Sequence, residues 1–205
     1  MHRFHAKASL AALAVTATTL FAMPAQANLI SNGGFETGDF TNWTLSGNTG
    51  FGTGVCLSGS NFLGSICSSN SGQYAAVSGP SGTPGFISQT MSTVIGNSYD
   101  VEFYYRNDNL NQVASNAFNV NWNGSAVTAF ANEATHDFTK VSLFTLLATS
   151  TTTTLSFELI NNPGGFFIDD VAVVDAVPEP SGIALAGVAL LSLFGFGLLR
   201  RRMQD

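Results

Sequence analysis

Residues 98–107 read SYDVEFYYRN. In an extended chain Val101, Phe103 and Tyr105 fall on one side and Asp100, Glu102 and Tyr104 on the other, the period-2 signature of a strand with one dry face. The alternation recurs in AFNVNW (117–122), where Phe118, Val120 and Trp122 interleave with Asn119 and Asn121. It recurs again in TLSFELI (154–160), where Leu155, Phe157 and Leu159 interleave with Ser156 and Glu158. Asn123-Gly124 follows the second of these runs and begins a two-residue hairpin turn into residues 125–130. Outward from this centre, further candidate strands lie near 28–30, 43–46, 73–78, 85–91, 98–106, 139–148, 152–160 and 165–174, separated by turn clusters. No sustained helical period interrupts them. Many short strands, each with a single apolar face, predict an all-β domain of two antiparallel sheets packed face to face.

Composition agrees. Charged residues make up 10% of the 205-residue chain, against 21 Gly and 17 Phe, a balance that suits strands and turns better than helices. Between residues 28 and 178 the basic residues are Arg106 and Lys140. Eleven acidic residues (Glu36, Asp39, Asp100, Glu102, Asp108, Glu133, Asp137, Glu158, Asp169, Asp170 and Asp175) leave a net charge of −9 with His neutral. A polyphosphate backbone would be repelled, which argues against nucleic acid and leaves neutral glycans or divalent cations as better partners.

The two ends read as addresses. Residues 1–27 have a basic start (Arg3, Lys7), an apolar stretch from Ala8 to Ala22 and an A-x-A site, Ala25-Gln26-Ala27. This is the pattern of a secretory signal helix cleaved before Asn28, with a retained membrane anchor as the other reading. At the far end Val177-Pro178-Glu179-Pro180-Ser181 precedes an uncharged apolar run, 182–199, and then Arg200-Arg201-Arg202. Eighteen helical residues reach about 27 Å, enough to cross a hydrocarbon core. The arginines would stay cytoplasmic and the Pro-Glu-Pro peptide would lie outside, held extended by its prolines. The expected organisation is therefore a signal peptide (1–27), a β-sandwich domain (28–176) and a sorting tail (177–205) that includes a transmembrane helix.

In all three parts, and in their order, this tail resembles the PEP-CTERM sorting signal of Gram-negative bacteria. The resemblance implies recognition by an exosortase-type membrane enzyme, passage through the inner membrane, and delivery to the cell surface or an extracellular polysaccharide matrix. It implies nothing about the domain's activity.

Residues 47–72 differ from the rest: Gly, Ser and Asn dominate and no period is visible, which suggests a functional or disordered loop. The segment holds Cys56 and Cys67, which export would make a disulfide; a metal or redox pair is the alternative.

Two motifs bracket the domain. Asn32, Gly34, Phe35, Glu36, Gly38 and Trp43 match the opening N-x-G-F-E-x-G-x-x-x-W, and Gly164-Gly165-Phe166-Phe167-Ile168-Asp169-Asp170-Val171 the closing strand, of the galactose-binding-like superfamily, which includes many carbohydrate-binding modules. The resemblance implies a jelly-roll sandwich, with Trp43 in its core. It also implies a structural calcium joining the first and last strands through the Gly34 carbonyl and the Glu36 and Asp169 carboxylates, a hard-oxygen set suited to that ion. Alternation turns Asp169 and Asp170 to opposite faces, so one of them is expected to reach the site. A turn-stabilising Glu36 beside a solvated Asp pair is the plainer reading.

No nucleophile elbow, zinc spacing or phosphate loop is present. His136 reads as a surface residue, and the Thr151–Thr154 run as a polar strand edge rather than a repeated ice-binding array. Glu102 and Glu158 are the candidate pair for glycoside hydrolysis. The same outward positions also suggest a glycan-binding face of Glu102, Tyr104, Arg106, Asn119, Asn121 and Glu158, projecting from one sheet. The expected function is a non-catalytic surface protein with weak carbohydrate binding. A secreted glycan-active enzyme and a purely structural matrix protein are the alternatives.

Overall fold

The computed structural model describes residues 26–176 apart from 51, 63, 109–114 and 162. The expected signal helix and transmembrane helix, with Ala25 and the whole 177–205 tail, lie outside these residues. Among the described residues no helix is long and apolar enough to cross a membrane.

The described residues form twelve strands in order: β1 (Thr44–Gly47), β2 (Thr53–Leu57), β3 (Asn61–Phe62), β4 (Ser65–Ile66), β5 (Tyr74–Ser78), β6 (Gly85–Ser92), β7 (Ser98–Asp108), β8 (Asn116–Trp122), β9 (Ser125–Ala131), β10 (His136–Leu147), β11 (Thr152–Asn161) and β12 (Gly165–Asp175). Ten of them make two five-stranded sheets, one ordered β1-β6-β11-β8-β9 and the other β10-β7-β12-β5-β2, while β3 and β4 pair alone. All pairings are antiparallel. The described residues form an all-β sandwich. We call the two layers the β8 sheet and the β7 sheet.

The alternation predicted for β7, β8 and β11 is what the sheets bury: Val101, Phe103, Phe118, Val120, Leu155, Phe157 and Leu159 are all fully enclosed. Phe103 of the β7 sheet meets Phe157 and Phe118 of the β8 sheet at ring separations of 5.1 and 5.8 Å. This three-ring contact bridges the layers, and each such ring contributes about 1.5–3 kcal/mol through burial. The hairpin at Asn123-Gly124 forms with both residues at positive φ, 50° and 82°, joining Trp122 and Ser125 as partners. That is the backbone a two-residue turn needs to match strand twist.

Three expectations need correction. Residues 28–30 form no strand, yet they run beside β12, where Leu29 N–H donates to the Val173 carbonyl at 2.8 Å. The stretch 47–72 is folded rather than aperiodic loop, since it contains β2, β3 and β4. Its order comes from a second small core on the outer side of the β7 sheet. There the Cys56–Cys67 disulfide, Val77 and fully buried Phe167 pack with Phe62 and Phe138. Gly, Ser and Asn hide such order because this layer is held by one cross-link and three aromatic rings instead of a repeating apolar face.

The third correction concerns faces. Glu102, Tyr104 and Arg106 stand on β7, whereas Asn119 and Asn121 stand on β8 and Glu158 on β11. Alternation separates inward from outward but does not say which sheet a strand joins. Both triplets point outward, from opposite sides of the sandwich, so neither a single binding face nor a Glu102–Glu158 catalytic cleft exists.

Candidate functional site

Two polar regions are built around the β7 sheet. The first joins the opening and closing motifs. Asn32 takes a left-handed backbone, φ 53°, as Asn does readily. Its side-chain amide donates to the Asp39 and Thr41 carbonyls at 3.1 Å each, its Oδ1 accepts from Thr37 N–H, and its carbonyl accepts from Trp43 Nε1 at 3.0 Å. The turn thereby braces itself and directs Phe35 into the core, stacked on Trp43 at 5.3 Å. Trp43 is buried, as the opening motif implies.

Glu36, the next residue, points outward. Its carboxylate accepts the backbone N–H groups of Gln73 and Tyr74 at 2.9–3.1 Å. A Cβ on Gly72 would lie 2.2 Å from Glu36 Oε1, so only glycine leaves room there. Asp169, fully buried, accepts from Asn70 N–H at 2.7 Å and Ser71 N–H at 3.2 Å. Asp170 accepts from the Asn70 side-chain amide and the Ser71 hydroxyl, both at 2.7 Å.

Both aspartates therefore reach this region, contrary to the alternation rule. A bulge between Asp169 and Ala172, with Asp170 at φ 50°, breaks the strand period and turns the second carboxylate to the same side. Oδ1 of each lies 3.6 Å from where a Gly34 Cβ would stand, and Glu36 Cγ is equally near. Gly34, Glu36 and Asp169, proposed from the motifs, are thus brought together, and Asp170 joins them. Burial pushes the Asp169 carboxyl up to about 6, with the neighbouring Asp170 adding to it and the amides of Ser71, Asp170 and Asn70 opposing.

The donors match calcium in kind. They are all hard oxygens, and a fully buried carboxylate beside a second one is a place where a dication offsets the electrostatic cost. No three Asp, Glu, His or Cys side chains form a metal-binding group among the described residues, so backbone carbonyls would have to complete a coordination shell.

The second region is a shallow, open groove of about 520 Å³ on the outer side of the β7 sheet, lined by Ile66, Ser68, Arg106, Thr135, His136 and Asp137. Arg106 forms its floor. One guanidinium nitrogen donates to the Ile66 carbonyl and the Ser68 hydroxyl at 3.1 Å each, the other pairs with Asp108 at 3.2 Å, and the plane lies 4.7 Å over the Phe167 ring. Such a fork loses little entropy on meeting a ligand. The opposite wall, 133–137, is pinned from below by buried asparagines. Asn107 donates to the Glu133 and Ala134 carbonyls, Asn116 exchanges bonds with the Glu133 backbone, and Asn161 donates to Asn107. His136 packs edge-on against Tyr105 at 4.8 Å, its Nε2 enclosed and 3.4 Å from a Glu133 oxygen without a hydrogen bond. Burial, followed by the Glu133 charge, pushes the Tyr105 phenol well above its usual range.

Of the six glycan candidates, Arg106 alone lines this groove. Glu102 is engaged by Lys140 at 2.9 Å and Ser142 at 3.0 Å further down the same face, and the Lys140 contact holds its carboxyl below the usual range. Tyr104 lies between them on β7. Asn119 donates to Glu158 at 3.3 Å on the far side of the sandwich. The reading from sequence missed Ile66, Ser68, Thr135 and Asp137 and took His136 for a plain surface residue. The cysteines were the available signal, because their cross-link brings Ile66 and Ser68 over Phe167.

No protein-family model and no curated protein matches the chain. Solved structures do share its fold. TmCBM61, solved in complex with beta-1,4-galactotriose, superposes with a TM-score of 0.55 at 20% identity over 73% of this chain and 99% of its own. The K3 cleaved adhesin domain of Lys-gingipain from Porphyromonas gingivalis W83 gives 0.54 at 14% identity, covering 72% and 99%. The enzymatically active domain of bacteriophage CBA120 tailspike protein 4 gives 0.52 at 17% identity over 72% of this chain but 21% of its own. At these identities what is shared is the fold, a jelly-roll sandwich of the kind used by carbohydrate-binding modules.

Proposed function

We propose that this chain is an exported, non-catalytic surface protein whose sandwich binds extracellular polysaccharide in the groove over Arg106. The observation that carries the reading is a preorganised polar groove with a fixed guanidinium floor, walls tied by a disulfide and by buried asparagines, and an apolar edge at Ile66. Sugars need this mixture, with hydrogen-bond partners for hydroxyls and a carbon surface for ring faces. The fold shared with a galactotriose-bound module supports it. Separation of Glu102 from Glu158 removes the one acid pair that favoured a hydrolase. Calcium at Gly34, Glu36, Asp169 and Asp170 would have a structural role, tying the first motif to β12. The tail, through Val177-Pro178-Glu179-Pro180-Ser181 and Arg200–Arg202, would deliver the protein by way of an exosortase-type enzyme.

The test is calorimetric titration with β-1,4-galacto-oligosaccharides and with exopolysaccharide. The expected result is binding without turnover, lost in His136→Ala/Asp137→Ala and unchanged in Glu158→Ala, which lies on the opposite face. Binding that survives the first variant and fails in the second would place the site elsewhere. No binding at all would favour a purely structural matrix role.

A further inference from the structure

We infer that the end of the sandwich from which the chain leaves is a foot that rests on a lipid bilayer, with Val94, Ile95, Phe144 and Leu147 among the headgroups. The inference builds on the proposed membrane span at 182–199 and gives the domain an orientation above it.

Those four residues are 54–63% exposed and account for most of the large apolar side chains that the described residues leave in solvent. They belong to one end. Gly96 N–H donates to the Ala148 carbonyl and Ala148 N–H to the Asn97 carbonyl, both at 2.9 Å, which ties the β6–β7 turn to the end of β10. Leu147 is the partner of Ser98. A β-bulge between Leu143 and Leu146, with Thr145 at φ 59°, lies beside Phe144 in the same strand end. Residues 93–97 and 144–152 carry no charged side chain of their own, and the one carboxylate bonded to them, Asp100, which accepts the Thr145 N–H at 2.9 Å, would stay hydrated at the level of the headgroups.

The chain departs at this same end. Ala176 N–H donates to the Ser98 carbonyl at 2.8 Å, so Ser98 lies between Ala176 on one side and Leu147 on the other. Neighbouring strands are about 4.8 Å apart, which puts the exit roughly 10 Å from Leu147. Five residues, 177–181, then separate Ala176 from the apolar run, and fully extended they reach at most about 17 Å. A span in the bilayer therefore holds this tip close to the membrane surface, where exposed apolar side chains gain by burial.

The experiment uses the full chain in vesicles of phosphatidylethanolamine and phosphatidylglycerol, with tryptophan placed at Ile95→Trp or Leu147→Trp. Ile66→Trp, in the distant groove, is the control. Flotation reports the anchor, and quenching by lipids brominated near the headgroup reports the foot. The expected result is flotation of all three, with blue-shifted and quenched emission from Trp at 95 and 147, none at 66, and no change on raising salt. Flotation with emission at 95 and 147 as unquenched as at 66 overturns the foot and leaves the anchor standing. A chain that fails to float overturns the anchor and the foot together.

Discussion

Asp170 shows how one residue can reverse a pattern argument. Its left-handed φ of 50° sits in a bulge that brings two consecutive carboxylates onto one side of β12, against the loop 70–71. The cost falls on Asp169, which is enclosed and whose folded-state carboxyl is raised from 3.8 to about 6. A carboxyl raised in the folded state takes up its proton more readily there than in the unfolded chain. Its destabilising effect is absent below about pH 4, grows through the window up to about 6, and is fully present above it, where it reaches about 3 kcal/mol. In chelator, urea unfolding of the wild type should therefore gain stability between pH 7.5 and 5 relative to Asp169→Asn, and added calcium should remove that gain by offsetting the charge. Parallel curves for the two proteins would sink this account.

At the level of strands and loops, what could be read ahead was local. The inward residues of β7, β8 and β11 follow from their own alternation, and the β8–β9 turn follows from Asn123-Gly124 requiring positive φ. What could not be read was set by distant partners. Whether β7 shares a sheet with β8 depends on crossovers, which no run of ten residues contains. The ordering of β2 to β4 depends on Phe167, a hundred residues downstream, and on the disulfide. The same dependence predicts the behaviour of Cys56→Ala/Cys67→Ala. Releasing that loop should cost about 3 kcal/mol in the chain-entropy view, and hydrogen exchange should rise first over residues 57–68 while the Phe103–Phe118–Phe157 contact stays protected. Glycan binding should weaken with it, because Ile66 and Ser68 line the groove. Uniform loss of protection across both sheets would show instead that the outer layer and the main core unfold as one unit.

As a whole molecule the domain has two unlike ends. From Ser98 to Arg106 along β7 is eight residues, or about 27 Å, so the groove opens on the outer side of the β7 sheet at the end away from the exposed apolar tip, clear of any surface on which the tip rests. Both described chain ends also lie at that tip, since the Gln26 side-chain amide donates to the Asp175 carbonyl while Leu29 runs along Val173. Such closeness means the order of strands along the chain is separable from their order in space. A circularly permuted domain, with 26 and 176 joined by a short linker and new ends opened between Asn123 and Gly124, should fold to the same two layers and unfold in a single transition. Start and finish would then be a matter of delivery, free to be moved without redrawing the architecture.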